Sequence, residues 1–181
     1  MTSRVTVGVA IAIPQPHAAV LSRWRRQVGD PAADLMRPHV TLLPPTAVVL
    51  DSLSLIERHL ATAAKTIEPF DMHLAGTGTF RPVSPVVFVQ VARGVSNCEL
   101  LEAAVRGGPL VRELEFPYHP HVTVAQLVPD DALDLAYDGL SGYVARFHVT
   151  SFVLFKRNKD GSWDEHDEFA LGAGAQAPAI G

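Results

Sequence analysis

One cysteine, Cys98, stands among the 181 residues. A lone thiol forms neither an intramolecular disulfide nor a cysteine metal cluster, so a reducing, cytoplasmic setting is expected. Long apolar runs are missing too: none approaches the ~20 residues that a membrane-spanning helix needs. The stretch from Val5 to Ile13 behind Arg4 could pass for the start of a secretory signal. However, Val5, Val7, Val9, Ile11 and Ile13 alternate with Thr6, Gly8, Ala10 and Ala12, a period-2 pattern that reads as a buried strand. An excess of positive charge is also absent: 15 Lys and Arg against 19 Asp and Glu give a net charge of −4 and a pI near 6.0. That balance argues against a broad surface holding long nucleic acid through counterion release, so any nucleic-acid ligand should be met at one end or as a small fragment. What the chain has in quantity is apolar material, 48% hydrophobic against 19% charged residues. This suits a single globular unit with one sizeable core or two small lobes sharing one.

Within that unit a four-residue phrase occurs twice, Pro38-His39-Val40-Thr41 and Pro120-His121-Val122-Thr123, each heading an apolar stretch. In a strand, side chains alternate between faces, so the histidine and threonine of each copy share one face and the valine takes the other. Two copies brought together would surround one point with two imidazoles and two hydroxyls, groups suited to moving protons around a phosphate.

The phrase is the best-kept part of a longer repeat. The first half reads as strand 5–13, helix 17–28, the first His-Thr strand, helix 52–66 and strand 70–76. The second half reads as strand 86–92, helix 97–106, the second His-Thr strand, helix 131–140 and strand 144–156. The order is the same in both, and the offsets between matching elements run 81, 80, 82, 79 and 74 residues. Such a duplication predicts two similar lobes about an approximate two-fold axis, covering roughly 1–77 and 85–171, with exchange of a strand between them conceivable.

Local chemistry adds detail. Ser96 with Glu99 three residues on forms a capping box that predicts a helix start. Asp51 or Ser52 is placed to cap the helix whose stripe is Leu53, Ile56, Leu60 and Ala64. Gly76 to Pro85 reads as the loop joining the lobes, and the nearly continuous apolar run Val86–Val89 suits a central strand. Asp160-Gly161 marks a hairpin turn from which Trp163–Leu171 returns. The uncharged stretch 172–181 reads as a disordered tail.

Two His-x-Thr motifs, one in each half of a duplicated α+β chain of this size, resemble the 2H phosphoesterase superfamily, which includes LigT-like 2′–5′ RNA ligase and cyclic phosphodiesterase proteins. Both motifs match without substitution, and the segment Gly78-Thr79-Phe80-Arg81-Pro82 is similar to the one preceding that family's central strand. The resemblance implies a bilobal α+β fold, with mostly antiparallel sheets flanking a central cleft, helices outside, and all four motif residues pointing into the cleft.

The chemistry can be argued from the side chains alone. Cleaving a phosphodiester, or opening a 2′,3′-cyclic one, needs a base for the attacking water or hydroxyl and an acid for the departing oxygen, and histidine serves either role near neutral pH. His39 and His121 are therefore the candidate acid and base, their roles undivided because the sequence is symmetrical there. Thr41 and Thr123 are candidate donors to the phosphate oxygens. Tyr118 and Phe80 either stack on a base or ribose or belong to the core. Arg37 and Arg81 either hold a terminal phosphate or are solvated surface charges. His119 would share a face with His121, which invites a metal reading. Zinc, however, takes three or four ligands at recognisable spacings and the chain has no His-Glu-x-x-His or cysteine pair, so no metal and no cofactor are expected. The expected partner is a small nucleotide or RNA end, with no membrane and no long nucleic acid, met by a monomer. Hydrolysis leads, with 2′–5′ joining of RNA ends or turnover-free binding of a phosphorylated ligand as the competing readings.

Overall fold

The computed structural model describes residues 2–172. The chain runs β1 (Arg4–Ala12), α1 (His17–Gln27), β2 (His39–Val49), α2 (Leu53–Lys65), β3 (Phe70–Thr79), β4 (Val86–Arg93), α3 (Val95–Val105), β5 (His121–Gln126), α4 (Asp130–Gly139), β6 (Val144–Val149), β7 (Ser151–Arg157) and β8 (Trp163–Ala170). Two four-stranded sheets result, a first in the order β2-β1-β7-β8 and a second in the order β5-β4-β3-β6, with every pairing antiparallel. This is the expected α+β architecture.

One face of each sheet is apolar because the alternation in the sequence puts it there. In β1, Val7, Val9 and Ile11 are fully buried, and in β4 so are Val87 and Val89. Helices cover these faces. The stripe Ile56, Leu60 and Ala64 of α2 is buried, with α2 against β8 and α3 against β2, while α1 packs on β5 and α4 on β3, β4 and β5. The helices of each half are thus divided between the two sheets. Each large aliphatic side chain so buried contributes roughly 1.5–3 kcal/mol.

The strands are divided as well. β3 ends the first half in sequence but pairs with β4 in the second sheet, and β7 ends the second half but pairs with β1 in the first. The partner of β3 in the repeat is therefore β7, which begins 81 residues later (151 minus 70), in step with the 82 residues between His39 and His121. The single strand expected over 144–156 is two strands in different sheets, separated at Thr150. Val144–Val149 is an addition at the edge of the second sheet, and measuring from its start produced the odd offset of 74.

Three local expectations are corrected. The N-cap of α3 is Gly94 at φ 96°, and Ser96 makes no capping bond: the left-handed turn, open to glycine without strain, starts the helix two residues too early for Ser96 to cap it. Ser52 is the N-cap residue of α2, as expected, but neither it nor Asp51 makes a side-chain capping bond. They lie in a 3₁₀ turn, and the Ser52 hydroxyl donates to the Val49 carbonyl instead (2.6 Å). The segment Gly76–Thr79, read as loop, is strand, because a register shift between Leu74 and Thr77 absorbs Gly76 at φ 73° and lets β3 continue beside β4. Of the expected tail, residues 173–181 lie outside the described residues. No helix of the described chain is long and apolar enough to cross a membrane.

Candidate active site

β2 and β5 are the edge strands of the two sheets, and they meet each other. The duplicated phrase thus lies on both sides of the seam between the lobes. Val40 and Val122 face the core, fully buried, which turns His39, Thr41, His121 and Thr123 to the opposite face. All four are half-buried. His39, Thr41 and Thr123 line one cavity of about 460 Å³. His121 lies beyond its lining, two residues before Thr123 on the same strand face.

Both imidazoles are held by the same device. His39 Nδ1 is 2.8 Å from the Arg37 carbonyl and His121 Nδ1 is 2.6 Å from the His119 carbonyl, in each case two residues back across a proline. A carbonyl oxygen only accepts, so each Nδ1 carries a proton and each neutral ring leaves its Nε2 unprotonated. Proline fixes its own φ and drives the residue before it toward extended backbone, which aims that carbonyl back at the ring. The prolines of the repeated phrase therefore set a tautomer, a role the His-x-Thr spacing alone does not reveal.

The surroundings differ. Burial pushes His39 from its ordinary 6.5 down to about 4, against the raising effect of the Arg37 carbonyl, with the charge of Arg25 and that of a protonated His121 adding to the depression. Burial also lowers His121, opposed by the His119 carbonyl and aided by the neighbouring His119 ring.

The remaining candidates sit as follows. Phe80 and Phe88 pack with His121 at centroid separations of 5.0 and 5.2 Å, and the His119 ring stacks on it at 5.9 Å. Phe80 and His119 therefore enclose the second imidazole. The Tyr118 hydroxyl donates to the Thr41 carbonyl (2.8 Å), tying the approach to β5 onto β2 across the seam. Arg37 is engaged by Glu165 (2.6 Å) and the Ile13 carbonyl. Arg81 is engaged by Asp134 (2.9 Å) on α4, with Asp130 at 3.8 Å. Neither arginine lines the cavity that holds His39.

Three cavity residues escaped the sequence reading. Arg25 is 2% exposed, with its Nε–H donating to Asp30 (2.8 Å). It continues the buried stripe of Ala18 and Leu21 at helical spacing, so a cation on an apolar face was the signal. Trp163 lies over Gly8, where an added Cβ would come within 3.3 Å of the indole, and a glycine interrupting a β-branched strand marks such an approach. Arg157, directly opposite Trp163 in the β7–β8 pair, also reaches the cavity.

Solved structures of this architecture exist. Escherichia coli LigT complexed with 3′-AMP superposes with a TM-score of 0.70 at 18% identity, covering 93% of this chain and 99% of that one. LigT with NADP+ gives 0.71 at 20% identity over the same shares, and TT0787 of Thermus thermophilus gives 0.62 at 22%, covering 93% and 99%. These likenesses define a LigT-like bilobal fold. The chain belongs to the 2′-5′ RNA ligase superfamily, whose sequence model matches residues 13–161. Among curated relatives, a Bacillus cytotoxicus protein named "Putative phosphoesterase" is 29% identical over 149 residues, 81% of this chain and 86% of that protein. A Bacillus cereus protein of the same name is 29% identical over 147 residues, 80% and 85% of the two.

Proposed function

We propose that this chain is a metal-independent phosphoesterase that hydrolyses 2′,3′-cyclic or 2′–5′ phosphodiesters of RNA ends or small nucleotides. The observation that carries the reading is the matched pair of carbonyl-held imidazoles, one on each edge strand of the seam, each with a free Nε2. His39, with the deeper depression to about 4, stays neutral at working pH and takes the proton of the attacking water. His121 gains its proton when the phosphate's negative charge enters, and gives it to the departing ribose oxygen. Thr41 and Thr123 donate to the non-bridging oxygens as charge grows on them. Trp163 offers a ring face to a base in the cavity.

Hydrolysis of a 2′,3′-cyclic nucleotide in excess chelator, followed by product analysis, tests the reading. Turnover lost in His39→Ala and in His121→Ala with the fold retained supports it, and unaltered rates in both defeat it. The superfamily's description as ligases favours a second reading, 2′–5′ joining of RNA ends, in which the same acid and base exchange roles. One end-labelled RNA followed in both directions separates the two.

A further inference from the structure

A row of side chains away from the cleft has no part in this chemistry. His73 on β3 stands directly opposite Arg93 on β4 and directly opposite Arg146 on β6. Residues in direct register share a sheet face, so the three form one line across neighbouring strands, with the imidazole between two guanidinium groups. Leu74, the next residue along β3, is fully buried toward the helices with its partner Val91, which turns His73 to the other face. That is the face of His121 and Thr123. His121 opposes Gln90 and Thr123 opposes Phe88, whereas Val87, Val89 and Val91 are buried on the helix side. The row therefore continues the His121 face away from β5. Arg93 is three residues along β4 from Gln90, or about 10 Å, and the extra residue in β4 at the register shift between His73 and Leu74 returns it to that face.

The two guanidinium groups have no countercharge of their own: among the described residues neither Arg93 nor Arg146 has a carboxylate within 4.0 Å. Asp71, in the same depression, is taken by His148 (2.8 Å), and Glu168, which lines the adjoining cavity with His148, accepts from Ser151. His73 Nε2 is out of reach of solvent and has no hydrogen-bond partner, a condition costing about 1–3 kcal/mol. Edge protection accounts for charge on β6, but Arg93 and His73 stand on interior strands. These side chains surround a depression of about 350 Å³. An anionic oxygen seated there would accept from both guanidinium groups and supply the countercharge they lack.

We infer that this depression is a second phosphate subsite, holding an internal phosphate of a single-stranded oligonucleotide whose terminal phosphodiester lies at the His–Thr pairs. The inference deepens the proposed function and rests on it for the placement of the strand's end. It makes the preferred substrate an RNA end several nucleotides long, gripped at points without regard to sequence, as an acidic chain without a broad basic surface requires.

The test compares 2′,3′-cyclic AMP with a hexanucleotide RNA ending in a 2′,3′-cyclic phosphate, in the wild type and in the double variant Arg93→Gln, Arg146→Gln. Both arginines are exposed, and removing like charges leaves the melting temperature unchanged or raised; should the double variant melt early, Arg93→Gln alone carries the measurement. The expected result is a loss of kcat/KM of roughly tenfold or more on the hexanucleotide and less than about twofold on the mononucleotide, with the salt slope of hexanucleotide binding shallower by about 0.7 for the one phosphate no longer neutralised. Equal losses on both substrates, or none on the hexanucleotide, overturn the subsite. Anisotropy titration with a hexanucleotide bearing a 3′-phosphate keeps the two claims apart. If no substrate turns over, the proposed function falls, while weaker binding by the double variant still supports the subsite and undiminished binding overturns it.

Discussion

The two His–Thr copies share a sequence, a strand position and a carbonyl lock, yet they occupy different surroundings. His39 opens onto the cavity beside Arg25 and is held at about 4. His121 is enclosed by Phe80, Phe88 and His119, and its lowering owes nothing to an arginine. Duplication supplied two equivalent imidazoles, and the neighbours distinguish them. The lesson is that two identical motifs are set apart by the residues around them, not by anything in the motif itself.

The hardest test of that asymmetry is removal of the rings. His39→Ala and His121→Ala should each lower kcat on a 2′,3′-cyclic nucleotide by about 10²–10⁴, the range for a positioned acid or base, with far-UV circular dichroism unchanged. If the roles differ as proposed, the two variants will lose opposite limbs of the pH–rate profile, and loss of the same limb in both would erase the distinction. Next in size, Thr41→Val and Thr123→Val keep the branched shape and remove the hydroxyl, for an expected loss of roughly 10²-fold in kcat with KM less affected. Steady-state kinetics on the two variants show whether the hydroxyls are equivalent.

Phe80→Ala sharpens the comparison from the other side. Opening the aromatic enclosure lets water reach His121, so its pKa should move up toward the ordinary range, visible as a shift in its ring resonances during an NMR titration, while His39 stays put. A matching movement of both rings would mean that one shared environment governs the pair.

Linkage gives a smaller effect. A histidine whose pKa is lowered in the native state takes up its proton first in the unfolded chain as the pH falls, so His39 makes the protein progressively less stable from about pH 6.5 to about pH 4. His39→Gln should flatten urea-denaturation stability across that window, and a curve as steep as the wild type's would contradict the burial argument. Least of all, Tyr118→Phe removes one hydrogen bond to the Thr41 carbonyl, worth about 1 kcal/mol or roughly 2–4 °C in melting temperature.

Much of the fold was legible because it is written in period-2 alternation and in a repeat with a nearly constant offset. The motif strands were located for the same reason. Where the repeat is decorated, legibility ended: β6 continues in sequence into β7 with Thr150 between them, and nothing in Val144–Arg157 announces that the two halves of that apolar stretch enter different sheets. Capping bonds were misread where a left-handed glycine or a 3₁₀ turn did the work assigned to a polar side chain. At the candidate site, His-x-Thr was plain, but Arg25, Arg157 and Trp163 reach the cavity only through tertiary packing. The strand alternation that displays His39 cannot report what α1 or the β7–β8 hairpin brings over it.

The exchange of β3 and β7 between the sheets has a bearing on how such a chain could arise. A single repeat of strand, helix, strand, helix, strand could not close its own sheet, because its last strand belongs beside the first strand of another copy. Two separate copies would have to clasp each other, each lending a strand, with the histidines meeting at their mutual axis. The short connection through Arg81 to Pro85 turns that embrace into one molecule, freeing each copy of the motif to acquire neighbours of its own.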